Sequence, residues 1–176
     1  MNKIFVSAPH TDDETLGCGW TILKHKSKKD KIYWICVTSM KSSKSWSKIE
    51  IEKREKEIDK VIKEYQFDGF FSLNLPPKEL DRVQLTNIIE PMSKILNKIK
   101  PNILYVPFFA DVHIDNQIIG NIYNALGKWF RYPYLKKIIC YETISETEFN
   151  ITSNITFKPN KFIDITRFMK KKINIM

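Results

Sequence analysis

This chain has little cysteine, little arginine and no long apolar run, and each shortage closes off a class of protein. Its 176 residues contain three cysteines, Cys18, Cys36 and Cys140. They are too scattered for a disulfide framework, and no Cys-x-x-Cys is present to make a structural zinc knuckle. Such thiols suit a reducing cytoplasm, which is the expected location. Near the N-terminus the apolar run Ile4-Phe5-Val6 is soon interrupted by His10, Asp12, Asp13 and Glu14. That is not a signal peptide, and nowhere is there a run long enough to span a membrane. The formal charge of +9 invites a nucleic-acid reading, yet only four residues are arginine: Arg54, Arg82, Arg131 and Arg167. Arginine is the residue that grips phosphate and guanine with a two-pronged fork. The lysines are spread along the chain, often beside Asn and Ile, a bias that an AT-rich genome also produces. No nucleic-acid partner is expected.

What is present reads as one globular domain over residues 1–176, with 43% apolar and 12% aromatic residues and length enough to bury a core. Strand and helix signals alternate. Lys3–Ser7, Lys31–Thr38, Gly69–Leu73, Ile103–Pro107 and Lys137–Tyr141 are short β-rich runs bounded by turn residues, as a buried parallel sheet requires. Between them, Glu14–Lys26, Ser47–Tyr65, Leu85–Ile99 and Asn116–Trp129 carry apolar residues at helical spacing, with Pro91 predicting a kink or a later start in the third. The alternation predicts an α/β fold with a parallel sheet. Ligands in such sheets bind beyond the carboxyl ends of the strands. The loops Met40–Ser47 and Leu75–Asp81 fall on that side; a substrate role and a plain solvated connection are both open for them.

The chemistry concentrates in two clusters. Pro9-His10-Thr11-Asp12-Asp13-Glu14 follows the first strand, and crowded carboxylates beside an imidazole are a liability without a cation. A divalent metal would resolve it, since imidazole and carboxylate oxygen form an ordinary zinc set. First-turn acids stabilised by the following helix dipole are the other reading. Gly17 and Gly19 do not make a dinucleotide loop, because Ile22 occupies the third glycine position and the acids would repel a pyrophosphate. The second cluster, Asp111-Val112-His113-Ile114-Asp115-Asn116, follows the fourth strand. Its spacing puts His113 and Asn116 about one helical turn apart.

Together the clusters resemble a known family. Pro9–Gly19 looks like the PHPDDE-x-x-G-C-G signature of the PIG-L/LmbE deacetylases, and Asp111–Asn116 looks like their D-x-H-x-D-H. Weaker matches continue in order through Arg54-Glu55-Lys56-Glu57, Leu80-Asp81, Phe130-Arg131-Tyr132-Pro133, Tyr141–Glu148 and Lys158–Ile165. The resemblance implies a Rossmann-like three-layer αβα sandwich with a mainly parallel sheet. It also implies a mononuclear Zn2+ site that hydrolyses an N-acetyl group of an amino sugar or sugar conjugate. His10 and Asp13 match the first two metal ligands and Asn116 the third. Asp12 matches the general base, and His113 the residue that stabilises the oxyanion or protonates the amine, with Asp115 orienting it. Arg54 and Arg131 match substrate-binding cations.

Four departures from the pattern stand out. Thr11 replaces Pro, and Trp20 replaces a small residue, so the first helix is expected to sit differently against the sheet. Asn116 replaces a histidine, and an amide oxygen is a weaker zinc donor than imidazole. This leaves a second reading, a family-fold binding module or remnant with impaired catalysis. The chain also stops within what reads as a final helix, Ile165–Met176, so a shortened C-terminal end is expected.

Overall fold

The computed structural model describes residues 1–128, 130–151 and 155–175. Five strands run in chain order as β1 (Lys3–Ala8), β2 (Lys31–Thr38), β3 (Gly69–Leu75), β4 (Ile103–Pro107) and β5 (Lys137–Tyr141). They form one sheet in the order β3-β2-β1-β4-β5, with every pairing parallel. The helices are α1 (Asp13–Ser27), α2 (Lys48–Tyr65), α3 (Leu85–Ile99), α4 (Ile114–Leu126) and α5 (Met169–Ile175). The expected α/β class and its alternation are therefore observed. Trp129 and Met176, which the expected fourth and final helices included, lie outside the described residues.

The layers follow from the two-residue period of the strands. In β1, Phe5 joins a core with Ile35, Leu104, Ile88, Met92, Ile119 and Tyr123, which places α3 and α4 on one face. Its neighbours Ile4 and Val6 join Cys18, Ile22, Leu23, Tyr65 and Ile175, which places α1, α2 and α5 on the other. Both faces of the sheet are thus covered, and this is why its strands read as continuous apolar runs rather than alternating ones.

Local signals explain where the helices sit. Ser47 caps α2 in a reciprocal capping box with Glu50, which satisfies two orphan N–H groups of the first turn. Of the kink or later start expected at Pro91, the later start is not observed: α3 begins at Leu85 and continues through Pro91. Its buried stripe Ile88, Met92, Leu96 and Ile99 clamps both sides of the proline to the sheet, and that burial outweighs the missing hydrogen bond. Helix α1 breaks its regular geometry at Cys18, where φ is −137°. Two close approaches fix the helices that carry the site. A Cβ on Gly17 would lie 2.1 Å from the Tyr141 ring, and one on Gly120 would lie 2.6 Å from the backbone Cα of Phe109. The substituted Trp20 lines a groove that it shares with β5, with Lys172 Nζ 3.6 Å from its ring centroid.

Candidate metal centre

Beyond the carboxyl ends of β1 and β4 the two clusters converge. Chain exit from β1 is pinned where Pro9 O accepts from Thr38 N at 3.0 Å and Thr38 Oγ1 at 2.8 Å. This holds His10 over the start of α1. The Asp13 carboxylate accepts from the His10 backbone N–H at 2.8 Å and lies 3.3 Å from His10 Nδ1. On the far side of the same ring, His10 Nε2 is 2.9 Å from Asp115 Oδ2. Each ring nitrogen of His10 therefore faces a different buried acid. Burial opposes charge on this imidazole, but the hydrogen bonds to Asp115 and Asp13 outweigh it and raise its pKa to about 10. Two buried carboxylates flanking one ring favour positive charge at this point.

Asp115 is fixed from a third direction. Its carboxylate accepts from the backbone N–H groups of Lys78 (2.7 Å) and Leu80 (3.2 Å). Burial pushes its carboxyl up, yet the His10 contact and these N–H donors bring it below the ordinary value. The Leu75–Asp81 loop thus positions the site, a role that its Pro76-Pro77 turn chemistry alone left open. Asp115 was expected to orient His113, but its carboxylate holds His10. It meets His113 only through its backbone N–H, which donates to His113 Nδ1 at 3.2 Å. His113 is the N-cap of α4, and an accepting Nδ1 assigns the ring proton to Nε2. The rings of His10 and His113 stand edge to face, 4.5 Å between centroids. Ligand atoms of His10, His113 and Asp115 lie within 4.8 Å of one another.

Asn116 is fully buried on the first turn of α4. Its Nδ2 donates to Asp111 Oδ2 at 3.1 Å, whereas its Oδ1 is buried with no hydrogen-bond partner. A buried acceptor without a donor is costly unless something electropositive meets it. Imidazoles, carboxylates and an orphaned amide oxygen make a donor set that fits a divalent cation. Asp111 is the residue that sequence reasoning left without a role. It takes hydrogen bonds from Asn116, Thr147 Oγ1 (3.1 Å) and Val112 N (2.8 Å), so it ties α4 to the segment after β5. The same segment brings Glu146 near His113, Asp111, Asp13 and His10, and burial followed by the neighbouring acids raises its carboxyl. Its sequence signal was the weak Tyr141–Glu148 match.

Glu14, also fully buried, has its carboxyl raised to about 8 by burial, and Oε1 accepts from Thr15 Oγ1 at 2.6 Å. Asp12 is exposed on the rim. Desolvation and then Asp13 raise its carboxyl, and His10 and Arg54 pull it back. A cavity of about 560 Å³ opens beside it, lined by His10, Asp12, Lys41, Trp46, Arg54 and Lys78 among others. Of the two expected substrate cations, Arg54 lines this cavity and Arg131 does not; Arg131 is exposed after α4. Trp46 and Lys41 belong to the Met40–Ser47 loop and were not singled out as site residues.

Comparisons with known proteins agree with the fold. The family model described as "PIG-L: GlcNAc-PI de-N-acetylase" matches residues 5–126. A search of curated proteins gave no match. Among solved structures, the chain is similar to the N,N'-diacetylchitobiose deacetylase of Pyrococcus horikoshii, at 23% identity and a TM-score of 0.74, covering 99% of this chain and 68% of that one. The zinc-inhibited form of teicoplanin deacetylase is similar at 10% identity and a TM-score of 0.73, covering 98% and 82%. So is the 4-carboxy-2-hydroxymuconate hydratase of Pseudomonas putida KT2440, at 16% identity and a TM-score of 0.70, covering 99% and 77%. At these identities the likeness carries the fold alone.

Proposed function

The chain belongs to the PIG-L family, and on that premise we propose that it is a metal-dependent N-deacetylase acting on an N-acetylated amino sugar or sugar conjugate. The observation that carries this reading is the surroundings of His10. Nε2 is held by Asp115 at 2.9 Å, which leaves Nδ1 on the side of Asp13. A carboxylate on the far nitrogen of a metal-binding imidazole fixes the tautomer and orientation of the ring. In our reading His10 Nδ1, Asp13 and the unpartnered Oδ1 of Asn116 hold a zinc ion. Bound there, a zinc ion would supply Lewis acidity to the acyl carbonyl and acidify water.

The chain's own residues supply the rest. Asp12, on the cavity rim and not a ligand, removes a proton from the attacking water. His113, with its proton on Nε2, donates a hydrogen bond to the developing oxyanion, and Asp12 passes the proton it took from water to the departing amine nitrogen. Asp115 and the backbone of Lys78 and Leu80 keep His10 from turning. Arg54 and Trp46 line the space for the sugar, with the cation reaching polar substituents and the indole offering an apolar face. Arg131 stays a substrate contact only if the bound substrate extends beyond this cavity. A cytoplasmic enzyme fits three free cysteines.

Asp12→Asn is expected to abolish release of acetate from N-acetylglucosamine derivatives while bound zinc is retained, and Asp13→Asn to lose both. Equal loss of metal in the two variants refutes the division of roles. A second placement is favoured by the 4.8 Å grouping of His10, His113 and Asp115; in that case His113→Ala, not Asp13→Asn, removes the metal. Zinc binding without turnover on any N-acetyl sugar would select the reading in which Asn116 has left a binding module.

A further inference from the structure

The net charge is not spread as evenly as the lysines are. Lys136, Lys137 and the segment 155–175 carry eight cations against the single acid Asp164, which is +7 of the chain's +9. The rest of the protein is close to neutral. The structure puts these residues at one end of the sheet. β5 is an edge strand, and residues 157–165 run along it without regular structure, tethered where Asp164 O accepts from Lys24 Nζ at 2.8 Å. Between them lies an open groove of about 880 Å³, lined by Lys136, Lys137, Ile138, Lys158, Lys161 and Phe162 among others. Trp20, also in its lining, connects it to α5, where Lys170 and Lys171 are exposed.

Lysines on a free strand edge would by themselves only discourage pairing with another sheet. Here they alternate with bulky apolar groups turned to water. Phe162 is 82% exposed between Lys161 and Ile163, Ile173 is 62% exposed after Lys171, and Ile138 follows Lys137 at 39%. Exposed aromatic and aliphatic side chains set among lysines match the two layers of a lipid interface, with anionic headgroups for the cations and the acyl boundary for the ring. A nucleic-acid duplex would use the cations but leave Phe162 idle, and Arg167 is the only arginine among the eight. No helix of the described residues is long and apolar enough to cross a membrane, so such an attachment would be peripheral.

We propose that the β5 edge, residues 157–165 and the exposed face of α5 form a docking surface for an anionic phospholipid bilayer. This does not depend on the deacetylase reading. The test is co-sedimentation of the full chain with vesicles of phosphatidylcholine containing roughly a third phosphatidylglycerol, against vesicles of phosphatidylcholine alone. Binding to the anionic vesicles at low salt is expected, falling steeply as sodium chloride is raised. Each lysine near the surface contributes about fivefold in affinity. Lys158→Gln with Lys161→Gln should therefore weaken binding about 25-fold, and Phe162→Ser should weaken it several-fold at unchanged salt dependence. All three positions are exposed, so unchanged circular dichroism is expected of both variants. Lys53→Gln with Lys56→Gln on α2, beside the opposite end of the sheet, is the charge-matched control and should leave binding intact. The proposal is overturned if anionic vesicles do not bind at low salt, or if the control variant loses as much as the Lys158/Lys161 variant. Tighter binding to duplex DNA than to vesicles, indifferent to Phe162→Ser, would overturn it in favour of nucleic acid.

Discussion

Replacing Asn116 by histidine tests the candidate metal centre most directly. The amide already divides its work: Nδ2 donates to Asp111 at 3.1 Å, and Oδ1 is left without a hydrogen bond. A histidine in the same place can keep the Asp111 bond through one ring N–H and offer the other nitrogen where Oδ1 stood. That would reproduce the carboxylate-backed imidazole already seen at His10 and Asp115. Exchanging a weak amide oxygen for such an imidazole is expected to tighten zinc about 10–100-fold, the size of effect that supporting groups at metal sites produce. The position is fully buried, so the larger ring carries an overpacking cost of about 1–3 kcal/mol. That lowers the midpoint of thermal unfolding of the metal-free protein by roughly 2–12 °C for a domain of this length. Saturating zinc should return about 1.4 kcal/mol for each tenfold gain in affinity. Competition with a chromophoric chelator reads the affinity, and thermal unfolding with and without zinc reads the rest. A lower metal-free midpoint with unchanged zinc affinity would refute the reasoning, because Oδ1 would then not face the ion. Tighter zinc without faster deacetylation would put the remaining defect in the substrate cavity.

Other expectations follow from the framework around the site. Gly120→Ala should cost about 1–3 kcal/mol in urea denaturation, because its Cβ would meet the backbone of Phe109 at 2.6 Å; a neutral result would mean that α4 is not seated so closely. At Asp30, burial favours the neutral acid, but the Asn2 N–H (2.6 Å) and His25 (2.8 Å) outweigh it and lower the carboxyl. A lowered folded-state pKa gives stability that is complete above the unfolded value of about 4 and is lost as pH falls through the folded one. Asp30→Asn should therefore lower stability at neutral pH and flatten this part of the acid limb, and an unchanged acid limb would contradict the assignment. Arg54→Ala should raise KM for N-acetyl sugars by more than it lowers kcat, since Arg54 lines the cavity without joining the cluster of His10, His113 and Asp115; a pure kcat defect would give it a different role.

Much of this molecule is written locally in its chain. The β-rich runs, the capping box at Ser47 and the amphipathic stripe of α3 depend on near neighbours and the period of side chains, so the strands and helices were legible close to their observed bounds. The two acidic-imidazole clusters were legible too, because a strand end in a parallel sheet is where such residues gather. Contacts between distant segments were not. That Asp115 would hold His10 rather than His113 depends on how α4 is rotated, and Gly120 against Phe109 sets that rotation. That the Lys78 and Leu80 N–H groups would clamp Asp115 depends on a loop whose sequence signals only a turn. Asp111 and Thr147, which are 36 residues apart, have no shared local pattern at all. Arg54 and Arg131 looked equivalent as isolated cations, and only the folded chain separates one that lines the cavity from one that does not. The lysines likewise read as diffuse along the sequence. Only the strand order, which makes β5 an edge and lays the basic C-terminal segment beside it, gathers most of the net charge on one side.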